Sequence, residues 1–182
     1  MSISVIPPSA PSFFILTGPP GSGKTSLLQA VASDVNTVPE AARRVLAHQR
    51  ASGGTATGEQ DPAAFIAHML TTMQTDYQAA SGLTLFDRGL PDLQAFSAHY
   101  AMPDSLVTAA IRTMRYQPLV FFLPAWDEIY RSDEERRLDF EGATAFGDLT
   151  RQAYRKSGYV LLDVPKASLA ERRAFLLEHL EI

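Results

Sequence analysis

Eight consecutive residues, Gly18-Pro19-Pro20-Gly21-Ser22-Gly23-Lys24-Thr25, satisfy the pattern G-x-x-x-x-G-K-[ST] in full. The order of residue types suits anion binding. Glycines let the chain bend until several N–H groups point into one hollow, and a helix opening at Lys24 adds the positive end of its dipole. Lys24 supplies a mobile charge for β and γ phosphates, and the Thr25 hydroxyl is placed to ligate Mg2+. A glycine-rich turn that binds nothing is the competing reading. The context speaks against it, because the motif follows an apolar run and opens a helix, as a P-loop does. Gly18 to Thr25, with Ser26 directly after them, are the candidate nucleotide-binding residues.

Three further groups could act beside such a cradle. Leu83-Thr84-Leu85-Phe86 is an apolar run that delivers Asp87 to the carboxyl end of a strand, where ligands of open α/β sheets collect. A carboxylate there either holds the water shell of a metal or accepts a proton from an attacking hydroxyl; the alternative is a cap on the turn before Gly89. Arg88 is either a clamp for a substrate phosphate or carboxylate, or a surface ion-pair partner. Glu40 opens a helix that carries Arg43 and Arg44 one turn later. It either complements the helix dipole and pairs along the helix, or sits by an acceptor and handles its hydroxyl. Residues 127–137 hold eight charged side chains. They read either as a solvated helix start, with Ser132 and Glu135 as a capping box, or as a lid whose Arg131 and Arg137 close over phosphates.

The elements that must position these groups follow from apolar periodicity. Strands are expected at Phe13–Leu16, Leu83–Phe86, Leu119–Leu123 and Tyr159–Leu162, each a short apolar run. Helices are expected from Lys24 to about Asp34, near Glu40–Gln49 with Thr37-Val38-Pro39 as its opening, after the Asp61-Pro62 start signal, over Pro91–Tyr100, Asp104–Tyr116 and Glu141–Lys156, and over Ser168–His179. Ala51–Gln60 has no periodicity and reads as a mobile loop. Residues 1–12, with three prolines and four serines, read as a flexible leader before one domain over 13–182. Buried strands alternating with helices imply a parallel sheet with right-handed crossovers.

Composition removes other classes. Sixteen Lys and Arg against 20 Asp and Glu give a net charge of −4, so no basic field is present to hold nucleic acid or an anionic membrane. The absence of cysteine excludes disulfides, thiolate catalysis and Cys-held metals. The four histidines are scattered without metal-ligand spacing, and Trp126 reads as core. No apolar stretch approaches the roughly 20 residues of a membrane-spanning helix, and no positive region opens a secretory signal. A cytoplasmic α/β protein, monomeric or homodimeric, is the expected class.

The combination GPPGSGKTSLL, VPEAARR, FDRGLPD, the Trp126-to-Arg137 stretch and LLDVP resembles the NadR-like AAA-type family of predicted ATPases, within the P-loop kinase group. The resemblance implies a three-layer P-loop NTPase fold whose five parallel strands run in the order 2-3-1-4-5, with a short lid. It implies ATP and Mg2+, with adenine near Asp163-Val164-Pro165, and it matches Glu40 and the Asp87-Arg88 pair to the elements that nucleoside-type kinases place around the acceptor. Two functions are expected to compete. One is a small-molecule kinase acting on a nucleoside-like acceptor, with Glu40, Arg43 and Arg88 on the acceptor and Lys24, Asp87, Arg131 and Arg137 on the phosphates. The other is a nucleotide-dependent switch with a protein or lipid partner. The chain has no N/T-K-x-D motif for guanine.

Overall fold

A computed structural model describes residues 11–130 and 138–180. The chain begins with β1 (Phe13–Thr17), α1 (Lys24–Val31), β2 (Asn36–Val38), α2 (Ala41–Ser52), α3 (Pro62–Ala79) and β3 (Thr84–Asp87). It continues with α4 (Leu90–His99), α5 (Ser105–Thr113), β4 (Leu119–Phe122), α6 (Phe140–Lys156), β5 (Val160–Asp163) and α7 (Leu169–Leu180). A single 3-10 turn, Asp127–Ile129, follows β4.

All five strands are parallel, in the order β2-β3-β1-β4-β5. Alternate residues of the central strands enter opposite faces, as a pleated strand requires. Ile15, Phe86 and Val120 point to the side covered by α2 to α6, while Leu16, Leu85 and Phe121 face α1 and α7. Both faces are therefore buried, which is why these strands read as continuous apolar runs. The chain leaves β1 toward β2 on one side and later returns to β4 on the other. That reversal puts the carboxyl end of β1 at the switch point, where a crevice opens.

Local signals set several boundaries. Asp61 caps α3 by accepting from Ala64 N at 2.9 Å, with Pro62 at the first helical position. Ser168 and Glu171 form the expected reciprocal capping box of α7: Ser168 N donates to Glu171 Oε2 at 2.9 Å and Glu171 N to Ser168 Oγ at 3.3 Å.

Three expectations are corrected. Thr37-Val38 belongs to a strand rather than to a helix opening: β2 pairs Asn36 with Thr84 and Val38 with Phe86. A three-residue edge strand whose side chains are all at least partly exposed shows no apolar run, so periodicity missed it. The loop expected over Ala51–Gln60 begins as the last turn of α2 and ends at Gly53 in the left-handed region (φ 67). It is then held by buried Gln49, whose Oε1 accepts from Ala56 N at 3.1 Å and whose carbonyl accepts from Gly54 N at 3.0 Å. α1 ends at Val31, short of Asp34.

Candidate active site

The P-loop joins β1 to α1 with its glycines in conformations that side chains resist. Gly18 has φ 144, and a Cβ there would lie 2.3 Å from Leu123 O on the neighbouring strand. Gly23, at the start of α1, has φ 88. Lys24 is buried, and its Nζ donates to Gly18 O at 3.1 Å and Pro19 O at 2.8 Å. Burial, then the nearby Arg88 cation, push its pKa down to about 8 against the opposing pull of Asp87 and Glu40.

Asp87 ends β3 and is buried, with Oδ1 lacking any hydrogen-bond partner. Burial, opposed by Lys24 and reinforced by Glu40, raises its pKa to about 6. A buried carboxylate oxygen left bare is costly unless a ligand meets it. Ser22 Oγ in the P-loop is likewise buried and bare. These two orphaned oxygens, beside Thr25 at the start of α1, fit a hydrated divalent cation at the phosphate end of a nucleotide. Among the described residues no three His, Asp or Glu side chains gather as a metal site of their own. Hydroxyl and carboxylate oxygens of this kind suit a hard divalent cation such as Mg2+.

Of the two sequence readings of Arg88, the structure contradicts the surface one. It is not a surface ion-pair partner, since it is only 5% exposed. Its Nε donates to Glu40 Oε1 at 2.8 Å, and its Nη1 to Asp92 Oδ1 at 2.8 Å and Gly18 O at 3.0 Å. Phe96 and Phe146 flank the guanidinium at 5.9 and 5.8 Å. The backbone of Arg88 is left-handed (φ 73), a conformation non-glycine residues adopt at a cost of order 1–3 kcal/mol and keep chiefly where surroundings hold them. Burial would lower its pKa, yet Glu40, Asp92 and Asp87 hold it above the usual arginine value.

Glu40 precedes α2 and makes no cap with its side chain. It accepts from Arg88 and from Arg43 Nε at 3.2 Å, so it pairs along the helix and also across to the β3 turn. Burial pushes its pKa up, but Arg88 and Lys24 outweigh that and hold it at about 2. Arg44 points elsewhere, to Asp76.

Lys24, Thr25, Glu40, Arg43 and Arg88 line one cavity of about 900 Å3, whereas Asp87 and Ser22 are not among its lining residues. One end is the P-loop with Lys24, Thr25 and Ser26. The other is walled by Glu40, Arg43, Gln49 and Arg88, and by the rings of Phe65, Phe96 and Phe146. Pro165 is exposed and is not among the residues lining the cavity. Arg131 and Arg137, with the proposed Ser132–Glu135 cap, lie outside the described residues. Trp126 is half-buried beside the cavity rather than core.

Sequence reasoning passed over Asp92 and Arg172. Asp92 is 1% exposed and takes four donors: Thr17 Oγ1, Arg88 Nη1, Gly89 N and Tyr154 OH. Its signal was the i,i+4 spacing from Arg88 inside FDRGLPD. Arg172 shares the buried face of α7 with Leu176 and Leu180. A cation on an apolar helical face was the sign.

A parallel 2-3-1-4-5 sheet with a P-loop at its switch point and an acidic-arginine pair across the crevice defines the P-loop kinase fold. The chain belongs to the AAA domain family, whose model matches residues 13–172 and bears out the resemblance carried by the motifs. No curated protein matches its sequence. Among solved structures, shikimate kinase from Acinetobacter baumannii in complex with shikimate is 14% identical, with TM-score 0.60, covering 95% of this chain and 94% of that one. A deoxyadenosine kinase from M. mycoides with dCMP and dCDP bound is 12% identical, with TM-score 0.65, covering 93% and 98%. A NadR protein in complex with NR is 14% identical, with TM-score 0.67, covering 93% of this chain and 51% of that one. At such identities the likeness establishes the fold. Among the described residues no helix is long and apolar enough to cross a membrane.

Proposed function

We propose that the protein is an ATP-dependent phosphotransferase that passes the γ-phosphoryl group of ATP to a hydroxyl of a small, nucleoside-like acceptor. One observation carries this reading: a single cavity runs from the P-loop to the Glu40–Arg88 pair and the aromatic wall beyond it. A site meant only to hold a nucleotide needs the first end. A site that transfers a phosphoryl group needs room and polar anchors at the second.

Thr25 and Asp87 would hold Mg2+, which when bound neutralises charge on the β and γ phosphates. Lys24 and the P-loop amides hold those phosphates. Lys24 Nζ donates to Gly18 O and Pro19 O, and a bound phosphate would compete with these carbonyls for the ammonium. Glu40 stays ionised across the working pH range, and orients the acceptor hydroxyl as a hydrogen-bond acceptor. With so low a pKa it is a weak base, which suits a loose transition state that asks more for positioning than for early proton removal. Arg88 fixes Glu40, while Phe65, Phe96 and Phe146 supply apolar surface for a flat ring. Arg43 borders the same acceptor space. Arg131 and Arg137, which lie outside the described residues, belong to this reading as lid cations. The alternative, a nucleotide-dependent switch, has less support, since Gln49 Oε1 holds Ala56 N within the 51–60 segment.

The test is phosphoryl transfer from labelled ATP to a panel of nucleosides and small polyols, with Mg2+. Product formation that D87N and E40Q each reduce at least a hundredfold is expected. Hydrolysis alone across the panel would overturn the transferase reading.

A further inference from the structure

The cavity has a second cationic wall, outside everything assigned so far. Arg172 sits near the start of α7 and is 7% exposed, yet its Nε and Nη1 have no hydrogen-bond partner. A buried cation with bare donors is costly, and such groups in native proteins call for a partner. Among the described residues none supplies one. The guanidinium instead stands 5.5 Å from the ring of Trp126, and its Nη1 would lie 2.8 Å from a Cβ placed on Gly23. It therefore rests on the P-loop at the residue before Lys24, and it lines the same cavity, with Ile129 and Leu169 beside it.

Its side of the cavity identifies the ligand group. Glu40 and Arg88 follow β2 and β3, on one side of β1, whereas α7 follows β5 at the opposite edge of the sheet. A γ-phosphoryl group must face the acceptor end to be transferred. What lies toward α7 is the part of the polyphosphate that is not transferred. We infer that Arg172 is a clamp on the non-transferred α- and β-phosphates of the bound nucleotide, held in place by the face of Trp126. The inference rests on the nucleotide-binding reading of the P-loop. A guanidinium suits the task because it forks onto two phosphate oxygens at once, and an indole face holds it by cation–π attraction while leaving its edge donors free.

Calorimetry on the full chain with Mg-ATP and Mg-ADP separates the outcomes. R172M is expected to weaken both nucleotides by the same factor, about tenfold or more, because a charged hydrogen bond common to both is lost. R172K is expected to recover part of the loss. Without nucleotide, R172M should melt at or above the wild-type temperature, since it removes an unpartnered buried charge. Unchanged affinity in R172M overturns the assignment, as does a loss confined to ATP, which would place Arg172 at the γ-phosphate. A lower melting temperature with unchanged affinities likewise overturns it, by showing that Arg172 only packs. If the wild-type protein binds neither nucleotide, the P-loop reading itself fails and the clamp falls with it. If the wild type binds and R172M binds equally, only the clamp fails.

Discussion

Arg88 and Asp92 stand one helical turn apart and meet at 2.8 Å with both side chains buried, the arginine in a left-handed backbone and the aspartate under four donors. Asp92 is the anchor of the acceptor side. It ties Thr17 on β1 and Tyr154 on α6 to the turn after β3, and so fixes the guanidinium that in turn fixes Glu40.

Removing the charge of Asp92 leaves Arg88 with Glu40 as its remaining close carboxylate partner in a buried setting. D92N is expected to destabilise the fold by about 3–5 kcal/mol, and Y154F by only about 0.5–1.5 kcal/mol, because Asp92 Oδ2 loses one donor and keeps Gly89 N. Urea unfolding of the two variants checks the order. Equal, sub-kcal effects would show that the network is not an anchor.

Glu40 makes stability depend on acid. Its folded pKa, about 2, lies below its ordinary value near 4.5. The contribution is therefore fully present above about pH 4.5 and is lost as pH falls toward 2. E40Q should unfold more easily than wild type at pH 7, by about 2–3 kcal/mol, with the difference shrinking below pH 4.5. A difference that stays constant from pH 7 to 3 would contradict the ion pair.

Lys24 gives nucleotide binding an alkaline limb. Before binding, burial holds its pKa near 8, whereas a phosphate partner favours the charged form. Affinity for ADP should be full below about pH 8 and fall, by up to tenfold per pH unit, above it, with proton uptake on binding measurable in buffers of different ionisation heat. The same group makes the ligand-free protein more stable as pH rises from 8 toward 10.5, because the unfolded lysine binds the proton more tightly. A flat affinity between pH 7 and 9.5 would place Lys24 away from the phosphates.

Gln49 braces the acceptor wall. Q49L leaves Ala56 N without its acceptor and frees the 54–60 segment, at a cost of about 1–3 kcal/mol. ATP affinity should hold while the KM for an identified acceptor rises severalfold. A loss of ATP affinity instead would mean that the segment serves the nucleotide end.

The phosphate cradle, the strand that delivers Asp87, and the caps at Asp61 and Ser168 were legible in the sequence because each is written within a few consecutive residues. Glycine dihedrals, helix periodicity and capping hydrogen bonds are local matters, and local chemistry dictates them. β2 was not legible, since an edge strand of three partly exposed residues exists only by pairing with β3. The same holds for what Arg88 and Arg172 do. Thr17 and Asp92 are 75 residues apart, and Arg88 and Glu40 48 apart. Which of these groups share a buried cavity is settled by how helices stack on the two faces of the sheet. In that low-dielectric space each charge must find a partner or wait for a ligand.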